Sequence, residues 1–366
     1  MAKNPLKQLA GETAIYGFSS ILARVLNFLF VPIYTRMLTQ VQYGVVTEFM
    51  AYIAMLQVVL TLGLETGCFR YASKEGADPE KVFSNAFVTV FGVCALFFAC
   101  ISIFAGDVST AMGYPGFSRM IVCCGLILLI DCTTAIIFAK LRHEHKAVKF
   151  AVIKTLKIFT EVGVTLLLYR VLAARFAQGS SMWLTRFVSA TPDFTYPLFA
   201  ILVSCLVCLA LIAPEMLKLT FRLDSRLVRR LLAYSLPLMV AGLPGIMNDV
   251  LDRVLMRFMN ADPVNWRADL GVYQAAVKLA VIMQLFVQMF RYAAEPFFFQ
   301  RERDKGGKKI YADVLNYFTA FCMLGFVLIM LFIDEIGLLL GKDFRVGLSI
   351  TPIMLMAYVI TGVLFN

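Results

Sequence analysis

Long apolar runs alternate with short charged clusters along the whole chain. Ten such runs can be drawn, over residues 11–38, 45–69, 82–105, 117–139, 148–172, 194–213, 228–258, 270–299, 311–333 and 348–366. Runs of about 20 apolar residues are long enough to cross the ~30 Å hydrocarbon core of a bilayer as helices. Backbone groups in hydrocarbon must be satisfied within the segment, which favours helices over barrel strands at this run length. The pattern predicts an all-α, polytopic transmembrane helix bundle of about ten spans.

Composition narrows the class. The chain is 60% apolar and only 16% charged, whereas soluble chains carry about 25% charged residues. A secreted domain, a cytosolic enzyme and a disordered chain are all excluded. The net charge of +10 would point to nucleic acid in a soluble protein. Here the cations gather in alternate loops: Arg70, Lys74 and Lys81; Lys140, Arg142, Lys146 and Lys149; residues 218–230; and residues 301–309. Cytoplasmic loops accumulate Lys and Arg, so the N-terminus is expected in the cytoplasm and no nucleic-acid partner is expected. The first run is too long for the apolar part of a cleaved signal. The longest outer connection, residues 173–193, is too short to fold as a domain, so any chemistry must sit within the bundle and no enzyme is expected.

Charges inside the spans carry more information than those in the loops. An ionisable group at the bilayer centre costs roughly 2.5–3.5 kcal/mol or more, so it is expected to face a wet cavity or a partner. The candidates are Arg24, Glu65, Asp131, Lys154, Lys157, Glu161, Asp249, Asp252, Arg253, Lys278, Arg291 and Glu295. Lys154, Lys157 and Glu161 share one stripe of the fifth span, and Gln284, Gln288, Arg291 and Glu295 share one of the eighth. Asp249, Asp252 and Arg253 fall within about a turn on the seventh, where Asp249 and Arg253 have ion-pair spacing. Asp131 reads as a coupling-ion carboxylate or as the partner of a basic group. Lys154 has the position of a side chain that snorkels, and Glu65 and Glu295 read as structural. Pro237, Gly242, Pro244 and Gly245 cluster just before Asp249, where a broken helix would free carbonyls for ion coordination or a hinge.

Other motifs add little. The nine cysteines, including the Cys205-x-x-Cys208 pair, fall in or beside apolar runs and read as packing. His143-Glu144-His145 lies among four cations and reads as a solvated basic loop, so no metal site is expected. There is no phosphate-binding Gly-Lys-Ser/Thr loop.

A weak parallel repeat appears when the first two spans are laid over the seventh and eighth. Arg24, Arg36 and Gln42-Tyr43-Gly44-Val45 then correspond to Arg253, Arg257 and Gly271-Val272-Tyr273-Gln274. This divides the chain into a six-helix lobe over residues 1–220 and the start of a second lobe over residues 221–366. Parallel repeats with a site between them are a transporter arrangement, and deep Arg and Lys side chains suit an anionic cargo.

Several stretches resemble the bacterial polysaccharide flippases that move O-antigen and capsule repeat units. They are Arg24, Pro32-Ile33-Tyr34-Thr35-Arg36, Gln42-Tyr43-Gly44, Leu62-Gly63-Leu64 and Phe69-Arg70-Tyr71, then Asp252-Arg253-Val254-Leu255-Met256, Tyr273-Gln274-Ala275-Ala276-Val277-Lys278 and Ala294-Glu295-Pro296-Phe297. The resemblance implies the multidrug/oligosaccharidyl-lipid/polysaccharide exporter fold, with two pseudo-symmetric six-helix lobes around a V-shaped cavity. It implies export of undecaprenyl-pyrophosphate-linked oligosaccharide across the inner membrane, driven by an ion gradient or membrane potential. By analogy Arg24, Arg253, Lys278, Arg291 and Lys157 would contact the anionic substrate, and Asp131, Asp249 and Asp252 would couple to Na⁺ or H⁺. No other cofactor is implied. The implied partners are the lipid-linked glycan, membrane lipids, and the polymerase and glycosyltransferases of the same pathway. The alternative is an ion-coupled multidrug exporter of the same superfamily. Family members have 12 to 14 spans, so a chain ending in a tenth span is expected to be a truncated second lobe.

Overall fold

The computed structural model describes residues 17, 21–22, 24–26, 28–172, 193–220, 223–260, 262, 264–301 and 307–364, with backbone only at 171–172, 291–301 and 307–311. Every regular element among them is helical. After α1, described over residues 28–37 and at scattered positions before, come α2 (Gln40–Leu60), α3 (Leu64–Ala72), α4 (Pro79–Ile103), α5 (Ala105–Ala111), α6 (Ser118–His143) and α7 (Ala147–Leu167). A π turn over Leu168–Leu172 ends α7. Then follow α8 (Thr195–Met216), α9 (Ser225–Met259), α10 (Trp266–Arg301), α11 (Gly307–Leu331), α12 (Ile333–Gly337), a 3₁₀ stretch at Lys342–Ile350 and α13 (Thr351–Leu364).

Among the described residues, eight helical stretches are long and apolar enough to cross a membrane. The chain is therefore an all-α multi-pass membrane protein. Two expected spans are not among the eight. Much of the first lies outside the described residues. The fifth, α7, is a helix, but Lys154, Lys157 and Glu161 interrupt its apolar run.

Packing groups the helices into two compact units, Val46–Ala261 and Gly17–Val45 with Asp262–Asn366. This grouping follows contact rather than the repeat, so it does not fall at residue 220. In the first unit α6 is the central helix, packed by α4, α7 and α8, while α3 lies against α4 and α9. In the second, α10 packs on α13 and the 3₁₀ stretch, around Ala280, Met283, Val287, Phe318, Cys322, Leu355 and Val359.

The helix ends follow local chemistry. Asp78 caps α4 by accepting from the Glu80 and Lys81 backbone N–H groups at 3.1 and 3.4 Å, and Pro79 occupies the first turn, where its missing N–H costs nothing. Asp78→Ala is expected to lower stability by about 1 kcal/mol, read by equilibrium unfolding in mixed micelles. An unchanged midpoint would show that the cap is idle. Asp224 caps α9 in the same way through Arg226 and Leu227.

An interruption within a single apolar run lies at Thr61-Leu62-Gly63, between α2 and α3, where Leu62 (φ 54°) and Gly63 (φ 66°) are both left-handed. Short bonds close the kink, from Leu64 N–H to the Thr61 carbonyl at 3.0 Å and from the Thr61 hydroxyl to the Val58 carbonyl at 3.1 Å. The break expected at Pro237–Gly245 is absent. There α9 continues as one 35-residue helix with Pro237 and Pro244 inside it. A membrane helix loses only one bond at each proline, whereas a break would strand several polar groups in hydrocarbon.

Candidate functional site: a charged cavity at α6 and α7

A cavity of about 230 Å³ is lined by Gln57 of α2, Glu65 of α3, Asp131, Thr134, Ala135, Phe138 and Arg142 of α6, and Phe150, Lys154 and Lys157 of α7. It follows α6 from Asp131 to Arg142, eleven residues or about 16 Å along the axis. Asp131, Thr134, Phe138 and Arg142 recur at three- and four-residue intervals and so share a face of α6. On α7, Phe150, Lys154 and Lys157 do the same. Lys154 and Lys157 of the stripe read from the sequence stand in this wall, whereas Glu161 is not among the lining residues.

The charges in the cavity are organised in pairs. Lys157 Nζ lies 2.6 Å from Asp131 Oδ1, with both side chains about four-fifths buried, at 18% and 19% exposure. The Cys205 thiol of α8 donates to the same oxygen at 3.3 Å, so this cysteine takes part in polar contact as well as packing. Nearer the end of α6, Arg142 Nη2 donates to Glu65 Oε2 at 3.1 Å, and the guanidinium also lies over the Phe69 ring. Glu65 stands in the first turn of α3, where the helix dipole favours a carboxylate. Lys154 has no carboxylate at salt-bridge distance among the described residues, and its Nζ sits 4.5 Å above the Phe138 ring. It lines the cavity instead of snorkelling outward. Three cations face two carboxylates, which leaves a net positive lining able to hold an anionic group.

Of the eight residues singled out from the sequence, the structure brings Asp131 and Lys157 into contact. Asp249, Asp252 and Arg253 share α9. There the Arg253 guanidinium donates to the backbone carbonyl of Asp249 instead of its carboxylate, and its contact with the Asp252 carboxylate is 4.0 Å. Arg24, on α1, and Lys278, on α10, are half-buried in the other unit. The Arg291 and Glu295 side chains lie outside the described residues.

Sequence reasoning missed Arg142 and Gln57 as members of the cavity, and it missed Glu48 entirely. Glu48 is 1% exposed and accepts from the Tyr114 hydroxyl. Arg257 approaches it at 3.4 Å and also donates to the Ala111 carbonyl at 3.2 Å. A lone acid in the run Val45-Val46-Thr47-Glu48-Phe49 was the available signal. His143 is likewise no loop residue. It ends α6, with its ring 5.4 Å from Phe83 and 6.2 Å from Phe69. Past the helix end, Glu144 holds the Lys146 ammonium at 2.7 Å and raises its pKa above the usual lysine value. Lys146, Lys149 and Lys218 all converge on Glu215, whose side chain is 3% exposed.

A charged cavity within an all-helical membrane bundle accords with the comparison to known families. The family described as "Polysaccharide biosynthesis protein" matches residues 9–302. The chain belongs to this family. No curated protein matches the chain. The family match takes in every residue lining the cavity, along with α9 and α10 up to its last residue, and it ties the protein to polysaccharide biosynthesis at the membrane.

Proposed function

We propose that the protein is a flippase. It carries undecaprenyl-pyrophosphate-linked oligosaccharide from the inner to the outer leaflet of the bacterial inner membrane, by alternating access and without enzymatic chemistry. The observation that carries this reading is a cation-rich cavity walled by apolar helices in a member of a polysaccharide biosynthesis family. Arg binds phosphate oxygens in bidentate fashion and Lys supplies a compact charge, so such a lining matches a pyrophosphate or an acidic sugar. In this reading Arg24, Arg253, Lys278 and Arg291 contact the substrate, and Lys154 joins them. Lys157 is neutralised by Asp131, so the two act as one unit whose proton or Na⁺ exchange couples transport to the gradient, with Asp249 and Asp252 as further carboxylates. The N-terminus is cytoplasmic, and the polymerase and glycosyltransferases of the pathway are the working partners.

The test uses a strain deleted for the gene and complemented with the full-length protein. Lipid-linked glycan protected from an external glycosidase should accumulate in the deletion and become accessible on complementation. An unchanged lipid pool and surface glycan, in a strain with no redundant flippase, would overturn the reading and bring drug export forward.

A further inference from the structure

A second cavity, of about 470 Å³, lies in the first unit at the end of α6 away from the charged one. The end of α4, the start of α5 and the first turns of α6 and α8 form its walls. Two of those walls repeat one pattern. The α6 wall includes Arg119, Val122, Cys123 and Leu126, and the α8 wall Thr195, Leu198, Phe199 and Leu202. Both sets fall at i, i+3, i+4 and i+7, which puts each on one face of its helix. Each stripe starts polar in the first turn and turns apolar over the ~10 Å that follow. The cavity therefore has a polar end and an apolar shaft, the profile of an amphiphile.

The surroundings say where that amphiphile comes from. Ile103 and Phe104 at the end of α4, and Leu206 farther along α8, are exposed apolar residues, so the cavity borders surface that faces lipid. An apolar cavity stays dry and takes up an apolar guest, and lipid tails are as apolar as leucine. The shaft thus selects a chain, and the polar end selects a head. Arg119 is the one charged residue among the described lining, and α6 begins there without a side-chain cap, so its positive helix end adds to the guanidinium. The Thr195 hydroxyl and N–H are engaged by Asp193 Oδ1 at 2.5 and 2.8 Å, and Asp193 itself is not among the lining residues. A guanidinium carries five donors and holds a phosphate in bidentate fashion alongside other partners. In the α4 wall the Ser102 hydroxyl is buried and finds no hydrogen-bond partner among the described residues. A phospholipid carries ester oxygens just below its phosphate, and these are acceptors of the kind that hydroxyl lacks.

We infer that this cavity is a binding site for an anionic phospholipid, with one acyl chain between α6 and α8 and its phosphate on Arg119. Arg119 stands away from the Lys140–Lys149 cluster at the other end of α6, so the site is separate from the basic loops.

Photo-cross-linking of the full-length protein in phosphatidylcholine nanodiscs tests it. The probe is phosphatidylglycerol with a diazirine on one acyl chain. Cross-links should concentrate on residues 119–126 and 195–202, above those on Phe321, Leu324 and Leu328, an exposed apolar face of α11 that samples bulk lipid. A probe with the same chains and a phosphocholine head should label the cavity about tenfold less and α11 equally. Arg119→Gln, at an exposed position, should remove that preference. Equal cavity labelling by both heads, or labelling no denser there than on α11, would overturn the site, and these wild-type arms decide even where the variant fails to fold. A folded Arg119→Gln that keeps the preference would overturn the role of Arg119 and the proposal with it. Displacement of the probe by polyprenyl pyrophosphate but not by unlabelled phosphatidylglycerol would give the cavity to the glycan carrier instead, and would likewise overturn it.

Discussion

Asp131→Asn and Lys157→Met are each expected to destabilise the protein by about 3 kcal/mol, while the double variant recovers most of that loss. The reason lies in the asymmetry of buried ion pairs. Lys157 and Asp131 sit 2.6 Å apart on α7 and α6, about four-fifths buried, in helices that present mostly apolar surface elsewhere. Their mutual attraction offsets desolvation while both are present. Removing one leaves a charge in a low-dielectric site without its nearest partner, with the Cys205 thiol as the remaining donor to Asp131 Oδ1 among the described residues. Replacing both removes the uncompensated charge and leaves a polar amide beside an apolar chain. Equilibrium unfolding of the four proteins in mixed micelles gives the cycle, and additive single effects would show that the pair is not coupled. The same four proteins separate stability from transport. A double variant that folds but no longer flips glycan places the pair in the coupling machinery, and one that flips normally reduces it to a structural bond.

Much of this site was legible in the sequence because helical periodicity projects charges onto faces. Lys154 and Lys157 read as one stripe, and the structure makes that stripe a cavity wall. Asp131 stood out as a carboxylate deep in an apolar run. The choice between coupling carboxylate and ion-pair partner was not legible, since it depends on which helix packs beside α6. The Arg142–Glu65 pair joins residues 77 positions apart. From the sequence alone one reads as a loop cation and the other as a lone acid near a span end. Glu48 was hidden for a similar reason, as its partners Tyr114 and Arg257 come from distant parts of the chain. The helix break was misplaced because proline and glycine frequency does not measure cost. In α9 the surrounding helix keeps its bonds past two prolines, whereas the left-handed pair at Leu62 and Gly63 is set by how closely α3 must approach α9.

That approach gives the second large effect. Gly63→Ala is expected to cost about 3 kcal/mol, from left-handed strain of roughly 1–2 kcal/mol together with overlap against backbone that cannot move aside. A Cβ on Gly63 would stand 2.5 Å from the Ser235 carbonyl oxygen and 3.1 Å from the Met239 nitrogen, both on the backbone of α9. One turn later a Cβ on Gly67 would run into the Ser235 hydroxyl, so Gly63 and Gly67 both meet α9 at Ser235. By contrast Gly242 and Gly245, within α9, have nothing within 4 Å of a built Cβ. Alanine there adds helix propensity of about 0.5–1 kcal/mol and removes no contact. Gly242→Ala should therefore leave stability unchanged or raise it slightly, with flipping intact. The two variants, unfolded side by side, decide where this bundle needs its glycines. A costly Gly242→Ala with a tolerated Gly63→Ala would return the hinge to the Pro237–Gly245 segment. The expected order makes the α2–α3 kink a fixed packing joint, with Gly63 spared a Cβ so that two helix backbones can meet.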